Sequence, residues 1–330
     1  PAPAVLPETF PTVDAPATLL FEIGVEELPA ADVTKTMEAV RVALEAALGE
    51  TRLGHGTVRT YGTPRRIVAI IEAVEPREPD AERTVRGPRV SAAFDADGNP
   101  TTAALGFARG QGVDVADLTR IEHGGAEHVA AVRKEVGRGA VEVLSGVLGS
   151  VVSGLRADKN MRWNDPKLAF SRPIRWLLAL LGDAPVPVAV SALSAGRTTR
   201  VFRTAEQPVV EVPQADGYLD FLRGHGIEAD VEARRTRIVD VATELAASVG
   251  GVIDTEGESA LLDEIANLIE YPEPILGSYD TKYLELPAEV LTTVMKKHQR
   301  YLPIRDESGA LLPYFVAVAN GTCDHDVVRA

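Results

Sequence analysis

Apolar residues come in short runs in this chain, and the longest candidate, Ile174 to Leu181, is closed by Pro173 on one side and Gly182 on the other. A membrane-crossing helix needs about 20 consecutive apolar residues. Every run here falls short of that, so Ile174 to Leu181 is a core element and the fold must be built from many brief segments. With 330 residues the chain exceeds what one core usually serves, and two domains with room for a third small module are expected. Hydrophobic residues at 45% and charged residues at 25% fit a folded globular protein.

Residues 1 to 17 hold five prolines among alanines, without the basic start or apolar stretch of a signal peptide, and read as a semi-rigid linker. Together with the missing initiator Met and an unfinished last element at Val327 to Ala330, this leads us to expect an excised fragment. Thr18 to Ile23 reads as a strand ended by Gly24, where an unusual dihedral is expected. Ala31 to Leu48 carries apolar residues at helical spacing until Gly49. Thr57 to Tyr61 and Arg66 to Val74 read as strands joined by a tight Gly62-Thr63-Pro64 turn. A small helical hairpin is expected at about 94 to 120, then a strand over His128 to Val136 and a helix over Gly139 to Leu155. Pro173 stands where a first helical turn would begin, ahead of the apolar run to Leu181. A strand over Pro185 to Ser191 follows, then helices over Asp216 to Gly224, Val231 to Val249 and Ser259 to Ile269, a short helix or turn over Leu291 to Lys297, and a buried strand over Leu312 to Ala319. The reading is an α+β, multi-module fold with mixed and antiparallel sheets, packed helices and a helical stretch in the second half. Its domains are 18 to 157, with the insertion, and 158 to 330, with an acidic helical stretch at about 214 to 275.

The formal net charge of −14 argues against indiscriminate affinity for nucleic acid, but the charge is unevenly placed. Arg156 to Arg203 holds nine Lys/Arg and three Asp, a net of +6, whereas Thr204 to Glu285 holds eighteen Asp/Glu and five Lys/Arg, a net of −13. One face could follow phosphates while the other repels them, or both could be plain solvated surface. A single cysteine, Cys323, leaves no internal disulfide and fits a reducing compartment, with cytoplasm as the default.

Local clusters sharpen this. Arg65 and Arg66 follow a turn at a strand start, where successive side chains point to opposite faces, so that one can reach a phosphate while the other pairs with a carboxylate. Glu26 and Glu27 suit a helix entry better than acid–base or magnesium chemistry, since no third ligand or base stands beside them. Arg162-Trp163 and Arg175-Trp176 interleave cations with indoles, suited to phosphate contact plus stacking on an unpaired base, although a core Trp under Arg stems is the commoner outcome. Trp176 reads as core and Trp163, beside Asn164 and Asp165, as exposed. The densest cationic cluster is Lys296-Lys297-His298-Gln299-Arg300, with no nucleophile or carboxylate in register with His298. No Walker loop or dinucleotide fingerprint is present, and the pairs His123/His128 and His325/Asp326 lack the further ligands of a metal site.

Eight blocks lie in order along the chain: LFEIGVEELP (20 to 29), YGTPRR (61 to 66), RGP (86 to 88), FDADGNPTTAALGFARGQGV (94 to 113), MRW (161 to 163), FSRPIRWLLALLGD (170 to 183), LPAEVLTTVMKKHQRYLPI (286 to 304) and LLPYFVAVAN (311 to 320). With them the chain resembles the β subunit of bacterial glycyl-tRNA synthetase from about residue 18 to 322. The resemblance implies part of a class II glycine–tRNA ligase in which the α subunit, separate or fused, uses ATP and magnesium while β binds tRNA(Gly). Since the residues assemble no nucleophile with base and no metal set, no cofactor, catalytic residue, metal or membrane contact is expected for this segment, the alternatives being an editing-type aminoacyl-tRNA hydrolase domain or a purely structural scaffold. Where the family commonly has an Arg-Gly-His-Arg-Phe stretch, this chain has Arg200-Val201-Phe202-Arg203-Thr204, keeping the arginines and losing the Gly and His. Arg65, Arg66, Arg162, Arg200, Arg203, Lys296, Lys297 and Arg300 are therefore the expected tRNA contacts. Arg234 and Arg237, in the acidic stretch, are expected to stand apart from them.

Overall fold

The computed structural model describes residues 2–163 and 168–321. Asn164, Asp165, Cys323, His325, Asp326 and Val327 to Ala330 lie outside the described residues. The chain divides into two compact units, one of residues 1–76 with 140–330 and one of residues 77–139.

In the larger unit, β1 (Ala17–Val25) alternates its side chains between two cores, with Leu19, Phe21, Ile23 and Val25 on one face and Leu20 on the other. Helix α1 (Ala30–Gly49) then lays Val33, Val40, Leu44 and Leu48 onto the first core. Strands β2 (Val58–Thr63) and β3 (Arg66–Val74) form a hairpin whose two turn residues are Pro64 and Arg65, so Gly62 and Thr63 belong to the ladder and not to the turn.

Residues 77–139 form the smaller unit. Strand β4 (Ala81–Arg89), the single turn α2 (Val90–Ala93), helix α3 (Thr102–Gln111), β5 (Thr119–His123) and β6 (Ala126–Glu135) follow in order. They make an antiparallel sheet β4-β6-β5 around a small core of Ala93, Ala104 and Val129. Helix α3 ends at Gly112 with φ 71°, the left-handed closure that favours glycine. The expected helical hairpin is α3 followed by a single 3-10 turn over Val115–Asp117, and it belongs to a unit with a three-stranded sheet. Gly124-Gly125, both at positive φ, turn β5 into β6.

The chain re-enters the larger unit through α4 (Ala140–Gly154), which buries Val141, Leu144, Leu148, Val151 and Val152 in the first core. Two short strands, β7 (Met161–Arg162) and β8 (Ala169–Phe170), precede β9 (Ile174–Leu181). Here the helical expectation is corrected: β9 pairs antiparallel with β1 along its length. Its apolar residues are needed on both sides, Leu177, Ala179 and Leu181 toward the first core and Leu178 and Leu180 toward the second. A short apolar run covered on both faces is a buried strand. Strands β10 (Ala184–Pro185), β11 (Ala189–Val190) and β12 (Leu193–Gly196) complete a mixed sheet ordered β11-β12-β9-β1-β3-β2, in which β12 runs parallel to β9. One sheet therefore takes strands from both sides of residue 157. The residues before β1 also join it, Phe10 and Val13 packing on the first core and the Ala4 amide donating to the Ser191 carbonyl.

A short ladder of β13 (Thr198–Arg200) and β14 (Val209–Glu211) leads to α5 (Tyr218–Gly224), which closes the second core with Tyr218 and Leu222. Helix α6 (Val231–Ser248) starts at Asp230, whose carboxylate accepts from the Glu232 and Ala233 amides. With α7 (Ser259–Ala266) it covers the sheet of β15 (Pro272–Ser278), β16 (Leu302–Arg305) and β17 (Leu311–Asn320) around a third core. Helix α8 (Ala288–Thr293) runs directly into a π-helical turn over Val294–Gln299.

Arg234, expected only to stand apart from the tRNA contacts, is a core residue. It is fully buried, and its guanidinium donates to the carbonyls of Ala266 at 2.8 Å, Glu228 at 2.6 Å and Gly62 at 2.8 Å. Burial lowers its pKa to about 10, with Glu270 opposing. Removing that side chain strands three acceptors. Arg234→Ala is expected to lose about 3 kcal/mol or more. Arg237→Gln, which breaks a partly exposed pair with Glu273, is expected to lose less than about 1 kcal/mol in the same chemical denaturation experiment.

Candidate functional site

Glu22 is the buried carboxylate of β1, fully withdrawn from solvent. It accepts from Trp176 Nε1 and from Thr199 Oγ1, each at 2.5 Å, and from the Tyr218 hydroxyl. The Arg66 guanidinium lies 3.5 Å away. Arg66 also reaches Glu270 at 3.2 Å, Thr199 Oγ1 at 3.0 Å and the Arg200 carbonyl at 2.6 Å. Burial alone would depress the Arg66 pKa, but the Glu270 and Glu22 carboxylates outweigh it and raise it. Arg66, expected as a tRNA contact, is thus corrected to a core cation that cannot reach a phosphate. Its neighbour diverges as strand alternation requires.

Arg65 points to a cleft of about 390 Å3. Its Nη1 donates to the Val201 carbonyl at 3.1 Å and lies 3.6 Å from Glu270, so it is already partly engaged. Burial lowers its pKa, again against the pull of Glu270. Arg175, Arg200 and Arg203 line the same cleft, with Glu26 between two of them, 3.1 Å from Arg175 and 2.7 Å from Arg203. Glu26 is therefore an ion-pair partner; the acid in the first turn of α1 is Asp32. The Arg200 guanidinium stands over the Trp176 ring at 5.1 Å. Gly24 makes this approach possible: a Cβ there would fall 1.9 Å from the indole, and its backbone is not at positive φ. The expected unusual dihedral is replaced by close contact.

Four guanidinium groups and one carboxylate around one concavity give a field selective for anions, and the planar forks of arginine suit phosphate oxygens. The sequence reading placed Arg65, Arg200 and Arg203 among its candidates; the structure adds Arg175 and Glu26 to them. The sequence reading pairs Arg175 with Trp176 as suited to phosphate contact without naming it among the expected tRNA contacts, and the structure sets it in the cleft beside that indole. Arg162 is exposed on β7 and does not line the cleft. The cluster at 296 to 300 is a separate feature. Lys296 pairs with Glu258 at 2.8 Å and Arg300 with Glu264 at 3.0 Å, while Lys297 and His298 are exposed. Among the described residues no three His, Cys, Asp or Glu side chains gather as metal ligands, and no helix is long and apolar enough to cross a membrane.

Burial, and then the charge of Glu22, hold the Tyr218 phenol protonated well above its usual range. A folded-state pKa raised above the unfolded value of about 10 gives stability that is complete below that pH and is lost as pH rises through the folded value. Folding stability should therefore fall above about pH 10. Tyr218→Phe should flatten that fall while lowering neutral-pH stability by about 1–3 kcal/mol, as read from urea melts across pH.

The comparisons with known proteins agree with the blocks read from the sequence. A family model described as glycyl-tRNA synthetase beta subunit matches residues 19–330. The chain is 43% identical over 314 residues to glycine–tRNA ligase, chloroplastic/mitochondrial 2, of Arabidopsis thaliana, covering 95% of this chain and 29% of that protein. It is 42% identical over 307 residues to the glycine–tRNA ligase beta subunit of Moorella thermoacetica, covering 93% of this chain and 44% of that one. Against the glycine–tRNA ligase beta subunit of Desulfitobacterium hafniense strain Y51 it is 40% identical over 310 residues, with 94% and 44% covered. The chain spans less than half the length of these curated relatives. Because the family match takes in nearly all of the residues that build the sheet, the cleft and the third core, the chain belongs to the glycyl-tRNA synthetase beta subunit family.

Proposed function

We propose that this chain is the amino-terminal part of the β portion of a glycine–tRNA ligase and that it binds and positions tRNA(Gly). In this reading it supports assembly with an α subunit or a fused α portion, acts in the cytoplasm and carries no chemistry of its own. Glycylation, of the class II type, belongs to the α portion with its ATP and magnesium. The observation that carries the tRNA role is the cleft itself, where among the described residues four arginines, Arg65, Arg175, Arg200 and Arg203, share the lining with one carboxylate, Glu26, while Arg65 also leans on the buried Glu270. Arg175 and Arg203 compete for Glu26, so an incoming phosphate need not break a full set of ion pairs. Phosphate contacts of this kind act through counterion release, so they leave a signature in salt dependence.

Arg175→Gln, Arg200→Gln and Arg203→Gln should each weaken tRNA(Gly) binding by the complete ligase and lower the log–log salt slope by about 0.7–0.9. Lys296→Gln and Arg300→Gln remove cations already tied to carboxylates and should change the slope less. Arg41→Gln, on the surface of α1 between Glu38 and Glu45, serves as the neutral control. Parental affinity and slope in all three cleft variants, with folding intact, would remove the cleft from tRNA binding.

A further inference from the structure

Arg175 and Arg200 line a second concavity as well as the cationic cleft. This neighbouring chamber, about 250 Å3, is walled by Trp163, Phe170, Pro173 and Leu193 and is apolar where the cleft is charged. Two chambers of opposite character sharing two arginines suit a ligand that is planar and weakly polar at one end and anionic at the other. A nucleotide has that form. The apolar chamber falls below the ~300–1,000 Å3 typical of pockets that enclose a whole small-molecule ligand, so it takes one ring system at most.

Trp163 is 38% exposed, and its Nε1 donates to the Phe170 carbonyl at 3.2 Å. The indole is thereby fixed and has its only donor spent, which leaves stacking as what it can offer. Arg200, seated over the Trp176 ring, presents a planar cation between the chambers. A base held in a duplex is stacked between its neighbours and cannot enter such a chamber, whereas a single-stranded base can be splayed out and stacked on an aromatic ring. We infer that this two-part groove holds one unpaired nucleotide of an RNA, its base against Trp163 and its phosphate among Arg175, Arg200 and Arg203. The inference rests on the tRNA-handling reading above and narrows it from polyanion binding to recognition of a single-stranded position.

The test uses RNA hairpins with one common stem, either blunt or carrying a single-stranded 3′ extension of about four nucleotides, the short end of single-strand site sizes. They are titrated into the full chain at fixed salt. The chain has two tryptophans, and both line the groove, so intrinsic fluorescence reports on it directly. The extended hairpin should bind about tenfold tighter than the blunt one and quench the emission. Trp163→Phe keeps a stacking face and should retain most of the affinity while losing most of the quench. Trp163→Ala should bring the extended hairpin down to the affinity of the blunt one, leaving the blunt one unchanged. Equal binding of both hairpins, weakened alike by Arg200→Gln, overturns the inference and leaves the phosphate-binding role standing. Binding of neither hairpin overturns both. Free adenosine monophosphate binding as tightly as the extended hairpin assigns the groove to a free nucleotide and also overturns it.

Discussion

The buried guanidinium of Arg66 is the interaction on which this structure hangs. It sits between Glu22 of β1 and Glu270, which lies between α7 and β15, and it also bonds Thr199 and the Arg200 carbonyl. Glu270 in turn accepts from Thr63, and Glu22 accepts from Trp176 and Tyr218. The network thus joins elements that are as far apart as 207 residues in sequence. Two carboxylates and one arginine out of contact with water carry a large desolvation cost, offset by the hydrogen bonds among them, while Glu270 Oε2 is left without a hydrogen bond and has the Arg65 guanidinium 3.6 Å away. The cleft inherits its geometry from this arrangement. Trp176 is held by Glu22, Arg200 is held by its carbonyl, and Arg65 leaves the same turn as Arg66.

Charge segregation along the chain takes on a different meaning in three dimensions. The basic segment does contribute Arg175, Arg200 and Arg203 to one concavity, but the fourth arginine and the opposing Glu26 come from much earlier in the chain. The acidic segment does not simply face solvent. Its Glu258 and Glu264 pair with the cations of the π-helical turn region, and its Glu270 is the buried partner of Arg66.

Legibility followed burial pattern. The helices α1, α4 and α6 could be read because one face of each is apolar at regular spacing and each ends near glycine or a polar cap. Strand β9 misled because a run buried on both faces has no alternation, and Pro173 mimicked a helix start. Strands β4 and β15 were not foreseen, the first because its AERTVRGPR sequence is polar and mostly exposed, the second because two prolines argue against a strand. As an edge strand β15 can carry them. At the site, the divergence of Arg65 and Arg66 was readable from strand alternation. The pairing of Arg66 with Glu270 and Thr199, and the seat of Trp176 on Gly24, depend on contacts over more than a hundred residues that no local pattern encodes.

The place where residues 77–139 leave and rejoin the larger unit has an architectural consequence. The Ala140 amide donates to the Pro76 carbonyl at 2.9 Å, so the chain exits and returns at hydrogen-bonded neighbours. Nothing in the central sheet waits on what is threaded between those two points. The entropic cost of closing such an excursion grows only with the logarithm of its length, about 0.6 kcal/mol for each doubling. The larger unit can accept a longer, shorter or wholly different passenger there, and Pro76–Ala140 is a natural grafting point at which the fold can be extended without being redesigned.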